Sequence, residues 1–123
     1  MSFVSTSELI LKSGKTTVYI AIDDIVQVAG VGNYSLFWLR DGQRIMSSYT
    51  LKVYEHVLPA HFLRIHKAYL VNGHCIVSRA GRHELLLVDG SRVPVARRKA
   101  DDFRQQYANL KTHEPVLVQQ RSN

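Results

Sequence analysis

Three side chains able to carry positive charge, Arg64, His66 and Lys67, fall within four positions of one apolar run. The run reads Phe62-Leu63-Arg64-Ile65-His66-Lys67-Ala68-Tyr69-Leu70-Val71-Asn72. Its apolar residues suffice for one or two buried strands. A core strand does not hold unpaired cations, because burying an unpaired Lys or Arg is very costly. The run is therefore expected to pass from core to surface and to deliver its basic residues at an exposed edge. On residue types alone the alternative is a strand with one solvated face. A second cluster, Arg97-Arg98-Lys99, opens a predicted helix. Cations oppose the positive end of a helix by some tenths of a kcal/mol each, and Asp101 and Asp102 offset this in part. Free backbone N–H groups beside three cations also make a phosphate site; the alternative is a solvated basic turn. The third group is Gly30-Val31-Gly32-Asn33, read as a loop whose residues permit positive φ. Asn33 either serves that turn or presents its amide. Arg and Lys suit guanine edges and phosphates, and Asn suits adenine. Loops between strands could carry all three groups on one rim.

Other chemistries find little support. Asp23 and Asp24 are adjacent on a strand lead-in, which does not suit a metal pair, and His66 has no evident nucleophile. The six His are scattered and no Cys/His spacing fits zinc, so no metal and no cofactor is expected. Cys75 lies in an apolar strand and reads as a packed small hydrophobe rather than a redox sensor. A lone cysteine fits a reducing, cytoplasmic compartment. No apolar run approaches the length of a membrane span, and the N-terminus lacks a signal pattern. The net charge is +6 and it is lopsided. Residues 1–61 carry five basic and five acidic residues, whereas residues 62–123 carry eleven and five, so the whole excess follows Phe62. A polyanionic partner is implied, nucleic acid first and anionic membrane second.

The elements that must position these groups are short. At 123 residues a single domain is expected, spanning 8–110, with a lead-in over 1–7 and a flexible tail over 111–123. Glu8–Lys12 and Thr16–Ala21 flank the turn Ser13-Gly14-Lys15. Ile25–Ala29, Tyr34–Arg40 and Gln43–Tyr49 read as strands, the last two joined at Asp41-Gly42. Leu51, Tyr54 and Leu58 recur on one helical face, with Thr50 able to cap it and Pro59 following. His74–Arg79, His83–Val88 and Ser91–Val95 read as strands, and Pro94 sets the last at an edge. Ala100, Phe103, Tyr107 and Leu110 form one stripe of a second helix from Arg97. The sum is a mainly β domain of about nine or ten short strands and two helices.

Five features, in order, resemble the LytTR family, the β-rich DNA-binding domain of bacterial LytR/AgrA-type response regulators. They are Ile-Asp-Asp-Ile-Val at 22–26 with Gln27-Val28; Gly-Asn-Tyr at 32–34; Thr50-Leu51 opening a short helix; the run 62–72; and Asp-Gly-Ser-Arg-Val-Pro-Val-Ala-Arg-Arg at 89–98. The likeness spans roughly residues 8–108. It implies an elongated stack of small antiparallel sheets, β-β-β, with two short helices. It implies double-stranded DNA bound through loops rather than a recognition helix, with two copies on a pair of repeated sites. Asn33, Tyr34, Lys67 and Arg97 match positions that approach bases in successive grooves. Arg64, His66, Arg98 and Lys99 are the neighbouring basic residues implied to hold phosphates. Two departures stand out. Ala96 occupies a position where the family often has Ser, so the second helix lacks a side-chain cap, at ~1 kcal/mol of local stability. No receiver domain fits before Glu8, so the module is expected to stand alone, with a separate receiver or sensor protein as partner, or to be a piece of a longer regulator of a two-component system.

Two function readings follow. The first is a sequence-specific DNA-binding transcriptional regulator. The second is a LytTR-like interaction module that restrains a partner regulator or sensor without strong DNA binding of its own. Asn33, Lys67 and Arg97 favour the first, since a pure inhibitor has no need of base-reading side chains. An enzyme is not expected.

Overall fold

A computed structural model of the chain describes residues 7–110. Ten strands form three antiparallel sheets. β1 (Glu8–Ser13) and β2 (Thr16–Ala21) make a hairpin of their own. The five-stranded sheet runs β5-β4-β3-β7-β6, built from β3 (Ile25–Val31), β4 (Tyr34–Leu39), β5 (Arg44–Ser47), β6 (Phe62–His66) and β7 (Tyr69–Asn72). The third sheet is β10-β9-β8, from β8 (Ile76–Arg79), β9 (Glu84–Leu87) and β10 (Arg92–Pro94). Helix α1 spans Leu51–Val57 and helix α2 spans residues 100–110.

The central sheet is buried on both faces, which accounts for its dense apolar runs. Alternate residues of a strand point to opposite faces. Leu70 accordingly joins one core with Phe37, Leu9, Leu11, Leu51 and Tyr54, while Val71 joins another with Leu63, Ile65, Leu85 and Phe103. The β1–β2 hairpin and α1 cover the first face. The β8–β10 sheet and α2 cover the second. Tyr54 brings a hydroxyl into the first core and satisfies it on the hydroxyl of buried Ser47; desolvation of the ring pushes its pKa up. Cys75 is fully buried in the second core, and burial pushes its thiol up as well, which makes it a poor nucleophile.

Several expectations hold. The stripe Leu51, Tyr54 and Leu58 is buried, Pro94 lies in an edge strand, and Phe103 anchors α2. Others are corrected. Thr50 occupies the cap position of α1 but is exposed and makes no side-chain capping bond. The segment opening at His74 begins as a 3-10 turn, Gly73–Cys75, closed by the Asn72 side chain accepting from the His74 N–H at 2.9 Å. The second helix is likewise preceded by a 3-10 turn over Arg97–Lys99. The proposed loop at Gly30 is shorter than expected: Gly30 and Val31 belong to β3, and only Gly32-Asn33 connects the strands. Of the lead-in, only Ser7 is described, its carbonyl accepting the Ile22 N–H; the tail over 111–123 lies outside the described residues.

Candidate nucleic-acid interface

The central piece is the β6–β7 hairpin. Its strands are joined by Lys67-Ala68, and a bulge interrupts the ladder between Arg64 and His66. A bulge leaves one residue unpaired and bends the strand. Here that residue is Ile65, whose side chain is buried and whose carbonyl is released from the ladder. Arg64 pairs with Leu70 across the hairpin, so its side chain leaves on the face toward α1. Its Nε donates to the His66 carbonyl at 2.9 Å, Nη2 to the Lys67 carbonyl at 2.6 Å, and Nη1 to Glu55 Oε1 at 2.5 Å. The Nδ1 of His66 accepts the Ala68 N–H at 3.0 Å. Lys67 itself is exposed and enters none of the ion pairs found among the described residues.

Two connections dock against this hairpin through backbone bonds. On one side, the Gly30 N–H donates to the Ala68 carbonyl at 2.8 Å. This brings the β3–β4 turn alongside the Lys67 turn. Gly32 takes φ 61°, and no residue other than glycine has positive φ among the described residues. That is the pattern of a type II′ hairpin, with Gly at the first central position. Asn33 occupies the second position without positive φ, so the turn does not demand its residue type. It is exposed and makes no hydrogen bond with the described residues, and Tyr34 beside it is 51% exposed. On the other side, the Ala96 N–H donates to the freed Ile65 carbonyl at 2.8 Å. The turn Arg97–Lys99 therefore starts one residue from β6. Arg97 and Arg98 are exposed. Lys99 is half-buried and lines a cleft with Glu55, Arg64 and Asp102.

All three groups thus meet on one rim, in the order Asn33, Lys67, Arg97. A cleft of about 350 Å³ between the first two is lined by Gly30, Gly32, Lys52, Arg64, Lys67 and Ala68, among others. Lys52 was missed from sequence. The available signal was its place on the exposed side of α1, one residue after the buried Leu51. No cluster of His, Cys, Asp or Glu suited to a metal occurs among the described residues, and no helix there is long and apolar enough to cross a membrane.

A family model of the LytTr DNA-binding domain matches residues 3–108. The chain belongs to the LytTR family. No curated protein matches it. Among solved structures it is similar to the LytTr DNA-binding domain of a protein described as a methyl-accepting/DNA response regulator from Bacillus cereus, with TM-score 0.72 and 22% identity, over 83% of this chain and 97% of that one. At that identity the likeness establishes the fold. This LytTR domain is a DNA-binding module of the kind that regulators carry, with its exposed Asn33, Lys67 and Arg97 on three adjacent connections rather than on one helix.

Proposed function

We propose that this LytTR domain is a sequence-specific transcriptional regulator module that inserts the turns bearing Asn33, Lys67 and Arg97 into successive grooves of double-stranded DNA. Tyr34 packs beside Asn33 at the base edges. His66, Arg98 and Lys99 contact phosphates, and Lys52 joins them. Phosphate contacts fix position while base contacts specify the site. The observation that supports this reading best is the pair of backbone bonds, Gly30 to Ala68 and Ala96 to Ile65, which set three cation- or amide-bearing turns side by side. Two copies occupy a pair of repeated sites, and the module acts in the bacterial cytoplasm as the output of a two-component system. Selection of bound oligonucleotides from a random pool tests the proposal. Recovery of paired short repeats supports it. Absence of enrichment refutes it and favours an interaction module that restrains a partner.

A further inference from the structure

The family resemblance implies that Arg64 is a phosphate contact, but its guanidinium is already committed. We infer that Arg64 is a positioning residue for Lys67, held in place by Glu55, and not a phosphate contact. The inference rests on Lys67 as a base reader for its consequence in DNA binding, though not for the geometry that motivates it.

The two carbonyls that Arg64 grips are consecutive. The His66 carbonyl belongs to the peptide plane before the Lys67 Cα, and the Lys67 carbonyl to the plane after it. Fixing both planes fixes φ and ψ of Lys67, the only soft backbone angles it has. The second plane is held again through the Ala68 N–H, which donates to His66 Nδ1 at 3.0 Å. The next plane is held by the Ala68 carbonyl, which accepts from Gly30. A planar fork with donors in fixed directions suits this task; an ammonium on a flexible stem cannot span the same three acceptors. Glu55 completes the clamp from α1, nine positions earlier in the chain. The Arg64 side chain is only 18% exposed, and its charge is matched by a carboxylate at 2.5 Å. A DNA phosphate would have to displace that carboxylate or strip the turn of its support. Reading a base requires a side chain placed to within about half an ångström, which a two-residue turn does not guarantee unaided.

The test uses Arg64→Lys, Arg64→Ala and Glu55→Gln in the full chain, with Lys67→Ala as reference. The base pair read by Lys67 is the one at which Lys67→Ala relaxes preference. Arg64→Lys keeps the charge and is expected to lose about tenfold in discrimination at that base pair, within the range a bidentate base contact supplies. The slope of log affinity against log salt stays at the wild-type value in both Arg64 variants. A slope flattened by ~0.9 in Arg64→Ala, with discrimination retained, makes Arg64 a phosphate contact and overturns the inference. Glu55→Gln is the milder variant should Arg64→Ala fail to fold. Discrimination at the Lys67 base pair is expected to fall there too; discrimination equal to wild type in Glu55→Gln would overturn the part given to Glu55. A second readout needs no DNA: amide hydrogen exchange at Ala68 is expected to accelerate at least tenfold in Arg64→Lys while core Val28 is unchanged. If Lys67→Ala leaves base preference intact but the Ala68 amide still responds, the base-reading role of Lys67 fails and the clamp stands. If the Ala68 amide does not respond, the clamp itself is refuted.

Discussion

Removing Arg98 and Lys99 should reveal how much of the basic turn serves phosphate. The two differ in setting. Arg98 is exposed and enters no ion pair among the described residues. Lys99 is half-buried in a cleft that also holds Glu55 and Asp102. A cation that neutralises one phosphate adds ~0.9 to the slope of log affinity against log salt. Arg98→Ala should therefore flatten the slope by ~0.9, and Lys99→Ala by less, because Lys99 is half-buried in a cleft that carboxylates also line. The double variant falls between ~0.9 and ~1.8. Between 50 and 200 mM salt, each full contact amounts to about 3.5-fold in affinity. Base preference stays at the wild-type pattern. Stability moves the opposite way from binding. These cations sit in the turn that opens α2, where Ala96 supplies no capping acceptor, so removing each contributes up to ~0.3–1 kcal/mol. Binding isotherms at four or five salt concentrations, with thermal melts of the free protein, measure both. Arg44→Ala is the control: Arg44 stacks over Trp38 at 4.0 Å near the end of β4 remote from the rim, and its slope should match wild type. A double variant with the wild-type slope, or one whose base preference shifts, refutes the phosphate assignment.

Asn33→Ala should abolish much of the preference at one base position, worth ~1–3 kcal/mol, with the melting temperature little changed, since φ is not positive there. Unchanged discrimination in single-base competition assays would leave Asn33 as a turn residue only. Ala96→Pro should detach one turn from the rim: φ of Ala96 is −66°, which proline accepts, while the N–H given to Ile65 is lost. Leaving the Ile65 carbonyl without its partner costs ~1–3 kcal/mol, and preference at the base read by Arg97 should fall while that read by Lys67 persists; equal effects at both would refute independent docking of the two turns. Gly73→Ala should destabilise by ~1–3 kcal/mol, because an added Cβ would lie 2.7 Å from the His61 carbonyl oxygen and against the Leu110 side chain. A melting temperature equal to wild type would show that the close packing of α2 there is not needed.

What was legible in the sequence was local. The stripe Leu51, Tyr54 and Leu58 has helical period, Asp41-Gly42 marks a hairpin, and Pro94 cannot donate to an inner ladder, so each placed itself. What was not legible depends on register or on partners far along the chain. The bulge at Ile65 has no residue signature, yet it frees the carbonyl that receives Ala96. Gly30 looked like loop because glycine permits loops, but its ordinary φ and its bond to Ala68 keep it in β3. The bonds of Arg64 were not legible either, because charge is visible in a sequence and the groups that engage it are not. Its partner Glu55 sits on another element, and the carbonyls it grips are visible only once the turn is folded.

Net charge is consequently a poor measure of this interface. The surplus of residues 62–123 counts Arg64, Arg92 and Arg104 alike, but each stands beside a carboxylate: Glu55, Glu84 and Asp101 at 2.5, 4.0 and 3.6 Å. The last two pairs are exposed and worth little to stability, yet they still offset charge that a phosphate would otherwise feel. Lys52 works the other way, adding rim charge from the half of the chain that is neutral overall. Among the described residues, the rim cations outside any ion pair are Lys52, Lys67, Arg97, Arg98 and the half-buried Lys99. A rim with so few free charges cannot hold DNA tightly by attraction alone at physiological salt. If the module reads sequence as proposed, its affinity for a correct site draws in good part on base contacts, and those depend on turns held rigid. On that proposal the hydrogen bonds of Arg64, Gly30 and Ala96, made within the protein, bear on which sequence is read.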